Sequence, residues 1–69
     1  MKPDLKIHDS AVLLEPVGNY LAGQVGVIVE EWDADHFEVE FVDTHGKTIG
    51  LSAIPKSHLL RLYFNTKAA

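Results

Sequence analysis

Three successive stretches, residues 25–32, 37–43 and 47–54, alternate apolar with polar or small side chains at a period of two. That is the spacing of a strand with one buried face. Phe37, Val39 and Phe41 alternate with Glu38, Glu40 and Val42; Val25, Val27 and Val29 with Ile28, Glu30 and Trp32; Ile49, Leu51 and Ala53 with Thr48, Gly50 and Ser52. On this reading all three strands bury their odd-numbered residues. Directly opposed residues of an antiparallel pair share a face, so the connecting loops must have odd lengths. Thr44-His45-Gly46 fits a three-residue loop with glycine in the left-handed position, which closes Asp43 against Lys47. The loop between the first two of these strands is three or five residues drawn from Trp32 to His36.

A strand at Ser10–Leu14 precedes the meander, ended by Pro16 and Gly18. A long loop from Glu15 to Gln24 follows, in which Tyr20 and Leu21 fold back over one end of the core. After the meander, Ile54-Pro55-Lys56-Ser57-His58 has room for a single 3₁₀ turn, and a last strand at 59–64 buries Leu60 and Leu62 and exposes Arg61. No stretch has helical spacing free of glycine, proline and β-branched runs. The expectation is an all-β fold, a small five-stranded SH3-like barrel over residues 9–64, with tails at 1–8 and 65–69. Its core is Val12, Leu14, Val27, Val29, Val39, Phe41, Ile49, Leu51 and Leu62.

The segment Tyr20-Leu21-Ala22-Gly23-Gln24-Val25-Gly26-Val27-Ile28-Val29-Glu30 resembles the glycine-spaced entry to the second strand of KOW-type and other SH3-like barrels. With Phe37-Glu38-Val39-Glu40-Phe41-Val42-Asp43 and Leu59-Leu60-Arg61-Leu62, residues 7–62 resemble a family of short bacterial proteins catalogued as a domain of unknown function, number forty-nine twenty-six. The resemblance implies the architecture and brings no catalytic residues with it. It also implies an immunity or antitoxin-type role, since members sit beside toxin-like genes. The acidic aromatic motif of the SH3 domains that grip proline-rich peptides is missing.

With no cysteine among 69 residues, disulfides, thiolate nucleophiles and cysteine metal sites are excluded. A small domain without staples suits a reducing cytoplasm, and no apolar run reaches membrane-spanning length. His8, His36, His45 and His58 lack the short spacings of a metal site, so no metal or cofactor is expected. No serine or threonine stands in a nucleophile context, and a barrel of this size is filled by its own side chains. The expectation is that the chain is not an enzyme. Gly23 and Gly26 precede a strand, where a phosphate cradle requires a helix.

Six Lys and Arg stand against ten Asp and Glu, a net charge of −4, which disfavours nucleic acid. Seven of the acids (Glu30, Glu31, Asp33, Asp35, Glu38, Glu40, Asp43) fall between residues 30 and 43, where there is no Lys or Arg. With strands two and three paired, Glu30 lies opposite or diagonal to Glu38. Two accounts stand: solubility with protection of sheet edges, or a docking face for a basic protein. Trp32, within this segment, is either an interface anchor or a cover for one barrel end against Pro16, Val17 or Tyr63. By fold analogy Tyr20, Trp32, His36, Pro55 and His58 surround one groove. The candidate binding residues are therefore Tyr20, Glu30, Trp32, Asp33, Asp35, His36, Glu38, Glu40 and His58. The rival readings are a KOW-like RNA- or ribosome-associated module and a small regulatory or structural subunit of a larger complex.

Overall fold

The computed structural model describes residues 5–62. The expected strand end at 63–64, the tail at 65–69, the first four residues of the other tail and Tyr63 as a neighbour of Trp32 lie outside them. Five antiparallel strands run in order: β1 (Ser10–Leu13), β2 (Val25–Asp33), β3 (His36–Val42), β4 (Thr48–Pro55) and β5 (Leu59–Arg61). A single 3₁₀ turn, Lys56–His58, separates the last two. The spatial order is β4-β3-β2-β1-β5, so among the described residues β4 and β5 are the sheet edges. Over the described residues the fold is thus all-β with one lone 3₁₀ turn before β5, as the periodicity predicts.

The core consists of Ala11, Leu13, Ile28, Phe37, Val39, Phe41, Ile54 and Leu59, with Leu5, Val17 and Tyr20 packed against it. Only β3 buries the residues expected of it. Leu14, Ile49 and Leu51 are at least half exposed, and Val12, Val27, Val29 and Leu62 are half-buried. In β5, Leu59 is buried while Leu60 is 53% exposed, reversing the expected order.

Two bulges explain the difference. Gly26 and Ile28 pair with Phe41 and Val39, an even-with-odd register, and the register then shifts past Val29 so that Glu30 meets Glu38. On the other side, Gly50 to Ile54 pair with Phe41 to Phe37, again even with odd, after a shift between Phe41 and Val42. Each extra residue turns the strand's remaining side chains over to the other face and sharpens the local twist. The near-continuous apolar run from Val25 to Val29 suits either parity. Gly26 decides it, because a Cβ there would stand 2.7 to 2.9 Å from Val39, the Glu40 carbonyl oxygen and Phe41. Glycine faces the core so that the Phe41 ring can lie there.

The turn between β3 and β4 forms as expected. The Gly46 amide donates to the Asp43 carbonyl at 3.0 Å, the Asp43 amide donates to the Lys47 carbonyl at 2.9 Å, and Gly46 has φ of 80°. The turn between β2 and β3 does not. Its loop is the two residues Ala34 and Asp35, closed by the pair Asp33–His36, and neither has positive φ. A second shift, at Trp32, provides the extra residue that an odd loop would have supplied. In the long loop, Tyr20 returns to the core but Leu21 is 72% exposed, against expectation.

Candidate functional site

The β2–β3 hairpin places its acids by register. Glu30 and Glu38 are direct cross-strand partners, and Glu40 stands opposite Val27 on β2 and Leu51 on β4. These side chains share the face turned away from the core. Trp32, in the bulge, is 63% exposed, and its indole N–H donates to the Glu38 carboxylate. It lies on the acidic face and closes no end of the core. The Thr48 hydroxyl donates to the Glu40 carboxylate from β4. Glu30 has no such partner among the described residues.

The hairpin tip is organised by Asp33. Its carboxylate accepts the Asp35 amide at 2.8 Å and faces the His36 Nδ1 at 3.0 Å. The His36 hydrogen bond, then the Asp35 amide, holds the Asp33 carboxyl below the ordinary carboxylate range. Asp35 joins the tip to the 3₁₀ turn, its carbonyl accepting the Lys56 amide at 2.8 Å.

His36 pairs with Pro55, so Trp32, Asp33, Asp35, His36 and Pro55 gather at one end of the hairpin. The other two candidates are elsewhere. His58 turns toward the long loop, 3.6 Å from the Glu15 carboxylate, with its carbonyl bonded to the Leu14 amide. Tyr20 stacks on Phe41 with centroids 4.2 Å apart, five residues along β3 from His36 and roughly 17 Å away at strand rise. It belongs to the core packing.

Lys56 carries chemistry that the acid count between residues 30 and 43 did not include. Its ammonium group is 2.7 Å from the Glu31 carboxylate and 4.5 Å above the Phe37 ring. Glu31 is thereby neutralised on the opposite side from Glu30 and Glu38. The signal for this contact was the β3–β4 register, which sets Lys56 against Asp35, and that register was hidden by the bulge.

Edge protection does not account for the acids. Glu30, Glu38 and Glu40 sit on β2 and β3, the interior strands, while the edge strand β4 carries no charged residue over Thr48–Pro55. At the far end of the hairpin an open depression of about 400 Å³ is bounded by Gln24, Val42, Asp43 and Ile49. Its one carboxylate, Asp43, already accepts the His45 and Lys47 amides. Among the described residues no three His, Asp or Glu side chains converge as metal ligands. What this surface offers is anionic groups around an exposed indole, suited to cationic side chains.

A family model described as "Domain of unknown function (DUF4926)" matches residues 7–61. The chain belongs to this family. The match bears out the family resemblance drawn from the glycine-spaced segment and the two strands after it. No curated protein and no solved structure matches the chain, and the KOW-type and wider SH3-like links gain no support from the comparisons. The family's description names no chemistry, so the functional reading rests on the surface itself.

Proposed function

We propose that this domain is a non-catalytic protein-binding module whose β2–β3 hairpin docks on a basic partner protein. The observation that carries the reading is the pairing of Glu30 with Glu38 beside the exposed Trp32, on strands where neither edge protection nor core packing calls for them. Like charges set opposite one another weaken a sheet, and a cationic partner relieves that repulsion. A single-sign cluster also speeds association with an oppositely charged surface. An immunity or antitoxin-like protein in the cytoplasm, masking the cationic cleft of a nuclease, is one concrete form of this activity.

An RNA-binding module needs cations free to meet phosphate. Here two of the four described cations are already paired, Lys56 with Glu31 and Arg61 with Asp9 at 3.4 Å, and the chain's net charge is −4. That favours a protein partner over nucleic acid.

The test is a pull-down from native lysate with the wild type and the double variant Glu38→Lys/Glu40→Lys as baits. A partner held by the wild type and lost by the variant supports the reading. Equal recovery by both ends it.

A further inference from the structure

We infer that the open edge of β4 captures an extended, basic segment of the partner as a sixth strand, its Lys or Arg side chains reaching Glu38 and Glu40. The inference rests on the acidic-face reading and adds how the partner is held.

The β4 edge is the least guarded part of the sheet. Natural edges are blunted with charge, proline, bulges or brevity. β4 runs eight residues without a charge; its bulge lies at the start and Pro55 at the end, leaving Gly50–Ile54 regular. Among the described residues it pairs with β3 alone.

Backbone polarity follows from the register. The Lys56 amide donates to the Asp35 carbonyl, which marks that pair as hydrogen-bonded. Pairs alternate along an antiparallel ladder, so Phe37–Ile54, Val39–Ser52 and Phe41–Gly50 are bonded pairs. The intervening Leu51 and Ala53 therefore direct their N–H and C=O groups outward. Two donors and two acceptors, in strand geometry, await an added chain.

Charge complementarity selects the occupant. Leu51 and Ala53 lie directly across from Glu40 and Glu38 on the outer face, and Leu51 is 56% exposed. A sixth strand would run about 10 Å from β3, two strand spacings. From there the aliphatic stem of a Lys or Arg crosses Leu51 and delivers its charged head to the carboxylates, each half covered. A second copy of the chain fits less well. Self-pairing would lay a second β4 along the edge, and Thr48–Pro55 carries no Lys or Arg to reach Glu38 and Glu40.

The experiment uses two nine-residue peptides of identical composition, Lys/Arg and Val. One alternates basic and apolar residues; the other spaces them at the helical period. Binding to the whole domain is measured by calorimetry and by amide shifts in NMR spectra. The alternating peptide should bind at least tenfold more tightly and move the Leu51 and Ala53 amides. Ala53→Pro removes one outward N–H without touching the β3–β4 ladder, and should weaken binding at least tenfold.

Equal binding of the two peptides, or shifts confined to the surroundings of Trp32, would overturn the inference. So would a dimer in sedimentation that Ala53→Pro dissociates, since the second copy would then hold the edge. If Glu38→Lys/Glu40→Lys abolishes peptide binding and Ala53→Pro leaves it unchanged, the acidic face stands and the edge inference falls. The reverse pattern removes the acidic face and keeps the edge.

Discussion

The phenol oxygen of Tyr20 occupies the space that a Cβ on Gly50 would need. One residue from the long loop thus locks onto β4, while its ring stacks on Phe41 of β3 at 4.2 Å. Gly50 is required for this contact, since it is cross-strand partner to Phe41 and lies under the same ring system.

Gly50→Ala should therefore lift Tyr20 off Phe41 and lower stability by about 1–2 kcal/mol, the usual scale of overpacking. Tyr20→Phe in the same chain removes the clashing oxygen and should restore part of the loss. A double-mutant cycle on urea midpoints reads the coupling. Additive losses would show that Tyr20 and Gly50 do not meet.

Gly26 and Gly46 should respond differently for separable reasons. At Gly46 an added methyl would meet nothing within 4 Å, and the cost of alanine comes from φ of 80° alone, about 1 kcal/mol. Asparagine, which tolerates that region, should recover much of it. Gly26 has no such backbone demand, but its Cβ would meet Val39 and the Glu40 carbonyl below 3 Å. Gly26→Ala should cost more than Gly46→Ala, and Gly26→Asn should be worse still. Thermal melts of the four variants give the ranking.

These glycines also show what was legible from residues alone. The Gly46 turn was, because a left-handed position between two strands has a local signature. The parity of β3 was, because Phe37, Val39 and Phe41 alternate with two glutamates. The parities of β2 and β4 were not. Val25 to Val29 is apolar on both faces, and the bulges at Val29 and Ile49 have no local marker. Their cause is tertiary: the Phe41 ring needs Gly26 on one side and Gly50 on the other, and both glycines are even-numbered. The acid cluster and the Glu30–Glu38 opposition could be read from sequence, whereas the separation of Tyr20 from Trp32 required the fold.

Asp33 supplies a pH test. Its folded pKa is lowered from an ordinary value of 3.8, so its contribution is present above that value and lost as pH falls through the lowered one. The advantage of wild type over Asp33→Asn should shrink on acidification below about pH 4. Carboxyl NMR titration of Asp33 should show a midpoint below that of a free aspartate. An ordinary midpoint would mean that His36 and the Asp35 amide do not hold the carboxylate in solution.

The opposition of Glu30 and Glu38 separates a docking face from a solubilising one. Directly opposed like charges cost a sheet roughly 0.2–1 kcal/mol. Glu30→Lys replaces that repulsion with an attractive pair, so the variant should be more stable than the wild type by about 0.5–1 kcal/mol. If the face binds a basic partner, the same change should slow association and flatten its dependence on salt, because long-range steering is screened by added ions. Trp32→Ala should behave otherwise. The indole is largely exposed, so stability should change by less than about 0.5 kcal/mol, as for surface substitutions, while dissociation of the complex quickens as an anchor is lost. Urea midpoints and surface plasmon resonance with the captured partner measure both quantities. A Glu30→Lys domain that gains stability and associates at the wild-type rate would leave the acids as solubilising groups. A gain in stability with slower association means that the wild-type sheet keeps an unfavourable pair because the partner needs it.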